Sequence, residues 1–244
     1  MLKVSAASGF GAGVAAAAGF PSISGERFRY VSDTGITKDG SNIVSAWADQ
    51  SGNDDHLADP TANKPLWVDN LVNGYPAVRF DGVGGAGGGG DILQVAATAG
   101  GGSKSHIFAV MNQITWTNYD QLLSWGMAGY GQLLTQIGGS PNLSGNELSN
   151  NLVAPSLNTF HLIYTYFDGT TGSYIALDDA SPVTGGASPT YPSAPTHFTL
   201  AGAKNLNNGG HVEIAEVVVY DGVKVIDDDL TALKDYFNTR YALY

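Results

Sequence analysis

Apolar residues in this chain fall into short runs that are separated by clusters of Gly, Ser, Asn and Pro. Several runs are rich in β-branched and aromatic residues and are apolar on both faces, a pattern typical of strands that are covered on both sides. Two pairs of runs are joined by turn-forming residues and predict hairpins. The predicted strands are Ser105–Met111, Gln121–Met127, Gly131–Ile137, Phe160–Phe167, Ser173–Leu177 and His211–Tyr220.

One stretch near the C-terminus has helical periodicity instead. Leu230, Leu233, Phe237 and Tyr241 repeat at helical spacing and would form one apolar stripe. Asp227 precedes this stripe and is the expected N-cap, because its side chain can accept a hydrogen bond from a free backbone amide of the first turn. Many strands, long polar loops and one terminal helix predict an all-β fold, a two-sheet antiparallel jelly-roll sandwich with one C-terminal helix.

The sandwich is expected to occupy residues 26–244 as one domain, after a Gly/Ala-rich arm at residues 1–25. Gly9, Gly11 and Gly13 interrupt the apolar part of the arm, which makes it a poor secretory signal and too glycine-rich to span a bilayer as a helix. We therefore expect a flexible arm that orders against a neighbouring subunit. The glycine run Gly82–Gly90 is expected to be a loop.

Charge and cysteine content narrow the possible partners. Only 14% of the residues are charged, the formal net charge is −11, and Lys and Arg are scattered, so nucleic acid is not an expected partner. The chain has no cysteine, which excludes disulfides, thiolate metal sites and cysteine nucleophiles. No membrane partner is expected either.

Three segments carry a resemblance to a known family. Trp47–Ala58, Asn73–Gly82 and His211–Tyr244 follow one another as in concanavalin A-like, laminin-G-like jelly rolls, and the resemblance covers roughly residues 40 to 244. Such domains are common in bacterial surface proteins and in tail and other virion proteins of bacteriophages. The resemblance therefore implies the sandwich fold, while fold by itself does not fix function. The glycine-rich arm resembles those of phage structural proteins.

The acidic residues of the last predicted strand argue against catalysis. Glycosidases need two carboxylates in one cleft, and the strand offers Glu213 and Glu216. Strict alternation of side chains would place these two on opposite faces. The E-x-D-x-x-E run of related glucanases is absent, and the Q-I-H of similar alginate lyases is replaced by Gln136-Ile137-Gly138. The sequence thus predicts no enzyme activity.

Glu216 itself allows two interpretations. By alternation it would share a face with Val212, Ile214 and Val218, in an apolar setting. It could contact a ligand or a metal ion. The favoured alternative is a structural acid paired with backbone amides or with Arg79, since a buried carboxylate needs a partner.

One acidic loop is a candidate binding site for a cofactor, a calcium ion. Asp49, Asn53, Asp54 and Asp55 offer the oxygen ligands that calcium takes. The alternative is an Asx turn in which these side chains accept hydrogen bonds from the local backbone.

A second loop offers a candidate carbohydrate-binding site. Trp116, Asn118, Tyr119 and Asp120 combine aromatic faces, which stack on sugar rings, with amide and carboxylate groups, which hydrogen-bond to hydroxyls. The alternatives are a loop that packs its own aromatics against the sandwich and a contact between subunits.

Two function classes follow from these features. The first is a non-enzymatic virion structural protein, a capsid decoration or tail appendage that binds other virion proteins through its arm and forms a homo-oligomer. The second is a carbohydrate-binding module that acts outside the cell or on a bacterial surface. A polysaccharide-degrading enzyme is the least favoured class.

Overall fold

The computed structural model describes residues 19–82, 90–96, 104–127, 130–145, 152–168, 172–185, 196–202 and 208–244. The strands of its first half are β1 Glu26–Val31, β2 Ile36–Lys38, β3 Val44–Trp47, β4 Leu57–Ala58, β5 Leu66–Val72, β6 Tyr75–Asp81, β7 Leu93–Ala96 and β8 Lys104–Gln113. The remaining elements are β9 Gln121–Met127, β10 Tyr130–Gln136, β11 Leu143–Ser144, β12 Leu152–Val153, β13 Phe160–Asp168, β14 Tyr174–Leu177, β15 Val183–Thr184, β16 His197–Leu200, β17 His211–Asp221 and the helix α1 Asp227–Tyr241.

The strands form two antiparallel sheets, as the sequence predicted. Sheet A has the order β15-β14-β13-β8-β17-β6-β5, and β1 also pairs with β17. Sheet B has the order β12-β11-β10-β9-β16-β7-β4-β3-β2. The long strand β17 pairs with β8 on one side, and on its other side with β6 near its start and β1 near its end. The prediction of a two-sheet sandwich with one C-terminal helix is confirmed.

The main core lies between the two sheets. Its centre is aromatic: the ring of Phe28 lies 4.9 Å from Phe198 and 5.1 Å from Trp125, measured between ring centroids. Trp47 is fully buried in the same cluster and donates its indole N–H to the Val31 carbonyl oxygen at 3.0 Å. The indole nitrogen therefore has a partner, so the burial of this large ring carries no polar penalty.

Helix α1 covers the outer face of sheet A and forms a second core there. Leu233, Phe237 and Tyr241 of the predicted stripe are buried, and the fourth member, Leu230, is partly buried. Tyr236 is also buried and extends the stripe. The predicted N-cap is wrong, because Ile226 holds that position, without a side-chain hydrogen bond, and Asp227 is the first helical residue. The acids of the first turn still oppose the helix dipole favourably.

Several predicted features fall at the edge of the described residues or beyond it. Residues 1–18 of the predicted arm, residues 83–89 of the glycine run and residues 169–171 of the predicted β13–β14 turn lie outside them. The hairpin itself is present, with β13 and β14 antiparallel. Within residues 19–25, Phe20 and Ile23 pack against the helix-side core, and the Phe20 ring lies 5.1 Å from that of Tyr236. Over the described residues, no helix has the length and hydropathy needed to span a membrane.

Candidate functional site

The loop at residues 114–120 connects β8 to β9 and is held from below by the buried side chain of Gln136. The Gln136 amide nitrogen donates to the side-chain oxygen of Gln113 and to the carbonyl oxygen of Thr115, both at 2.8 Å. Its side-chain oxygen accepts the backbone N–H of Thr117 at 2.9 Å. One glutamine on β10 thus fixes the loop at two points.

Tyr119 stands at the tip of this loop in an unusual backbone conformation. Its φ is +73°, in the left-handed region that bulky residues rarely adopt. The conformation is imposed from β10, because the Tyr119 N–H donates to the Gln136 carbonyl at 2.7 Å and the Gln136 N–H donates to the Asp120 carbonyl at 2.8 Å. The side chain is 56% exposed. The ring is therefore exposed on a backbone held in a strained conformation, and such strain is concentrated at functional sites.

The other candidate residues of the loop have distinct settings. Trp116 is half-buried and donates its indole N–H to the Asn142 carbonyl oxygen at 2.8 Å. Asn118 is exposed. Asp120 is half-buried, and burial raises the pKa of its carboxyl group to about 6, against the lowering effect of a hydrogen bond with Thr117. The loop thus places an aromatic ring, an amide and a carboxyl group side by side in the chain.

Sequence reasoning missed the residues that hold this loop. Gln113 and Gln136 are buried amides that bond to each other; Gln136 bonds to the loop, and Gln113 donates to the Pro141 carbonyl at 3.0 Å. The sequence signal is weak, because Gln113 lies two residues beyond the predicted strand Ser105–Met111 and Gln136 is a polar residue near the end of Gly131–Ile137. That signal does not distinguish a buried glutamine from an exposed one.

The candidate calcium loop has the hydrogen bonds of an Asx turn. Asp49 is buried; one of its carboxylate oxygens accepts the N–H groups of Arg29 and Ser51, and the other accepts the Ser51 hydroxyl at 2.6 Å. Asp55 pairs with Arg27 at 2.5 Å. The Asn53 amide bonds to backbone carbonyls of β1, and Asp54 is exposed. Over the described ranges, no three acidic or histidine side chains converge as metal ligands. These oxygens do not fit a calcium site as placed, and calcium binding stays a prediction.

The assignment of Glu213 and Glu216 to opposite faces is wrong. The pairing of β17 with β8 shifts register between Ile214 and Glu216, which is a β-bulge. Val212 and Ile214 belong to the core between the sheets, whereas Ala215 and Val218 belong to the helix-side core. The extra residue therefore turns both glutamates to the helix side of sheet A. The alternation argument against catalysis fails with it.

The two glutamates nevertheless have separate partners. Glu213 pairs with Arg79 and accepts the Asn112 amide at 2.9 Å. Glu216 is fully buried and accepts the hydroxyl groups of Tyr236 and Tyr241 at 3.1 and 2.8 Å. Burial raises the Glu216 pKa to about 7, against the lowering effects of the Tyr241 bond and the charge of Arg240.

Glu216 is therefore a structural acid, as the favoured interpretation held, but its expected partner was wrong. Arg79 belongs to Glu213, and the two tyrosines of α1 supply the hydrogen bonds instead.

Comparison with solved structures finds the same sandwich fold in several proteins. An arabinofuranosidase complexed with arabinofuranosyl-α-1,2-xylobiose matches 82% of this chain with a TM-score of 0.60 at 17% identity, and the chain spans 51% of that protein. Domain 4 of an extracellular arabinanase from Geobacillus stearothermophilus, in complex with arabinotriose, matches 86% of this chain with a TM-score of 0.58 at 10% identity. The chain covers 97% of that domain.

A sialidase from Trypanosoma rangeli in complex with sialic acid matches 89% of this chain with a TM-score of 0.58 at 14% identity, and the chain spans 33% of that protein. No family model and no curated protein sequence matches the chain. At these identities the likeness shows the fold, a β-sandwich, and the activities belong to the neighbours.

These comparisons correct two predictions. The neighbours are glycosidases and glycan-bound domains, so the prediction of a virion structural protein of a bacteriophage is overturned and the alternative, a carbohydrate-binding domain, is favoured. The exclusion of enzyme activity is overturned by the same three neighbours, all of which come from glycosidases. The capsid, tail and virion location find no support.

Proposed function

We propose that this chain is a carbohydrate-binding β-sandwich domain that holds a glycan on the loop at residues 114–120. The observation that carries the proposal is Tyr119, a ring 56% exposed in a strained left-handed conformation. A strained residue needs a surrounding structure that enforces it, and the buried Gln136 supplies that structure. An exposed aromatic side chain on a rigid loop is a platform for the apolar face of a sugar ring.

The neighbouring groups supply the polar half of sugar recognition. The Asn118 amide can donate to and accept from sugar hydroxyls, and the Asp120 carboxylate can accept from them. Fold neighbours support this class of ligand, since one is an isolated arabinanase domain in complex with arabinotriose, and another is a neurotoxin whose cell entry depends on two ganglioside molecules. The extracellular source of the arabinanase supports a place of action outside the cell.

Calorimetric titration with arabinotriose and a panel of neutral oligosaccharides tests this proposal. We expect binding that Tyr119→Ala weakens by about tenfold, which corresponds to about 1.4 kcal/mol. Tyr244→Ala is the matched control, because Tyr244 is 47% exposed but lies beyond α1. Equal affinities of wild type and Tyr119→Ala, or an equal loss in both variants, would contradict the proposal.

Glycoside hydrolysis is a second candidate function, favoured by a pair of carboxyl groups at the end of β6. Asp91 is 9% exposed, and one of its carboxyl oxygens accepts the Asp81 N–H at 3.2 Å. Burial and the charge of Asp81 raise the Asp91 pKa to about 6. A buried carboxyl group whose pKa is raised towards neutral by burial and by a neighbouring carboxylate is a candidate general acid of the kind that glycosidases use.

Release of nitrophenol from 4-nitrophenyl α-L-arabinofuranoside tests the second candidate. Hydrolysis should occur in the wild type, and cleavage of arabinan, whose sugar leaving group needs protonation far more than nitrophenolate does, should fall by about a hundredfold in Asp91→Asn, in the range of general acid catalysis. Asp39→Asn on the exposed β2–β3 turn is the control and should leave the rate unchanged. If the wild type hydrolyses neither this substrate nor arabinan, the hydrolase candidate is wrong, and the binding proposal is unaffected.

A further inference from the structure

A polar cleft opens between β1 and the C-terminal half of α1, apart from the loop at residues 114–120. Its volume is about 350 Å³, which falls within the roughly 300–1,000 Å³ of small-molecule pockets. The side chains that matter for its chemistry are Phe20, Arg29, Asp33, Gln50, Tyr236 and Arg240.

Arg29 is fixed with part of its guanidinium group unused. Its Nη2 donates to the Gln50 carbonyl at 2.9 Å, and its Nε lies 2.9 Å from a carboxylate oxygen of Glu26. Its guanidinium carbon lies 4.2 Å from the centre of the Phe20 ring, a cation–π contact. Within the described residues, the two N–H groups of Nη1 have no protein acceptor. A preorganised guanidinium with free donors is suited to a planar oxyanion.

Arg240 brings a second positive charge to the same cleft. Its Nη2 donates to Asp33 at 2.5 Å, and its Nε lies 3.7 Å from the buried Glu216. Stacking against Tyr75, at 4.1 Å from the ring centre, fixes its orientation. Two arginines thus line the cleft, each beside an acidic side chain, Glu26 for Arg29 and Asp33 for Arg240, so the cleft offers guanidinium N–H donors rather than a net positive charge.

The walls of the cleft suit a sugar ring. The rings of Phe20 and Tyr236 meet edge to face at 5.1 Å and offer apolar surface, and Gln50 offers an amide for hydroxyl groups. A small inorganic anion would use the arginines but not these rings. We propose that this cleft binds the carboxylate-bearing residue of an acidic glycan, a uronic acid. The proposal rests on the proposed function only in taking the ligand to be a sugar.

Titration of the full chain with trigalacturonate and with its neutral methyl ester tests the proposal. We expect the acid to bind about tenfold more tightly than the ester, because only the acid has a carboxylate that can accept an ionic hydrogen bond from an arginine. Arg29→Gln should remove that preference. Arg27→Gln is the matched control, because Arg27 lies on the same strand but pairs with Asp55 away from the cleft. Its preference for the acid should be unchanged.

Three outcomes would overturn the proposal: equal affinity for acid and ester in the wild type, an unchanged preference in a folded Arg29→Gln, or loss of the preference in Tyr119→Ala. The last would move acid recognition to the loop. If Arg29→Gln does not fold, amide chemical shifts of the wild type decide: trigalacturonate should perturb Arg29, Gln50 and Arg240, and shifts confined to other residues would overturn the proposal. Acid binding that persists in Tyr119→Ala keeps this cleft separate from the proposed function, so either can fail alone.

Discussion

The helix-covered face of sheet A and the loop at residues 114–120 each contain a carboxyl group whose pKa is raised by burial, yet they differ in what surrounds it. Glu216 is fully enclosed, and two tyrosine hydroxyls of α1 donate to its oxygens. Asp120 is half-buried beside Tyr119, which is exposed and strained. The first region uses its polar groups to attach a helix, whereas the Asp120 carboxyl group bonds within its own loop, to Thr117, and stays partly exposed. The hydrogen-bond partners of a carboxyl group, more than its pKa, therefore distinguish a structural acid from a candidate site residue.

The largest expected effect tests the attachment of the helix. Phe237 is fully buried against sheet A, with its ring stacked 6.2 Å from that of Phe108. Phe237→Ala should lower the free energy of unfolding by about 3–5 kcal/mol, as measured by urea denaturation. Leu230→Ala on the same helix, where the side chain is only partly buried, should have a clearly smaller effect. Equal effects would mean that the stripe does not dock as described.

The next effect concerns the pH dependence of stability. The folded-state pKa of Glu216 is raised to about 7 from an ordinary value of 4.5, so folding favours the protonated form. Its contribution is fully present below about pH 4.5 and is lost as the pH rises through about 7, on the order of 3 kcal/mol in total. The wild type should therefore unfold more easily at about pH 8 than at about pH 5.

Glu216→Gln isolates that contribution, because glutamine keeps the size of the side chain and cannot ionise. Its unfolding free energy should fall less with rising pH than that of the wild type. A smaller dependence should persist from Asp91 and Asp120, whose pKa values are also raised to about 6. Identical pH profiles for the variant and the wild type would contradict the placement of Glu216.

The smallest expected effect on stability concerns the loop at residues 114–120, where a glycine substitution should be less destabilising than an alanine substitution. Glycine adopts the left-handed conformation of Tyr119 without strain, whereas alanine does not. Tyr119→Gly should be more stable than Tyr119→Ala by about 1 kcal/mol, measured by thermal unfolding. Both variants should bind the glycan about tenfold more weakly than the wild type. A glycine variant that is no more stable than the alanine variant would mean that the backbone at this position is not strained.

Much of the fold could be predicted from apolar periodicity. The longest runs became β8, β13 and β17, and the stripe at Leu233, Phe237 and Tyr241 became the buried side of α1, because these patterns follow directly from backbone geometry. The bulge near Ala215 could not be predicted, since one inserted residue leaves no mark on an apolar run. That single residue reversed the assignment of Glu216.

The candidate site was predictable in part, for a related reason. Trp116, Asn118, Tyr119 and Asp120 are neighbours in sequence, so their joint placement required no tertiary information. The support from Gln136 joins residues on different strands, and only the folded chain shows it. The same holds for the cleft, where Arg29 and Arg240 come from opposite ends of the chain.

The central claim is that the loop at residues 114–120 is a glycan platform. The most direct measurement is a titration of isotope-labelled full-length chain with arabinotriose, followed by amide and indole chemical shifts. The account predicts saturable shifts at Thr117, Asn118, Tyr119 and Asp120 and at the Trp116 indole, with the amides of α1 unmoved. Saturable shifts confined to residues outside this loop, or no shifts with any oligosaccharide of the neutral panel, would contradict it.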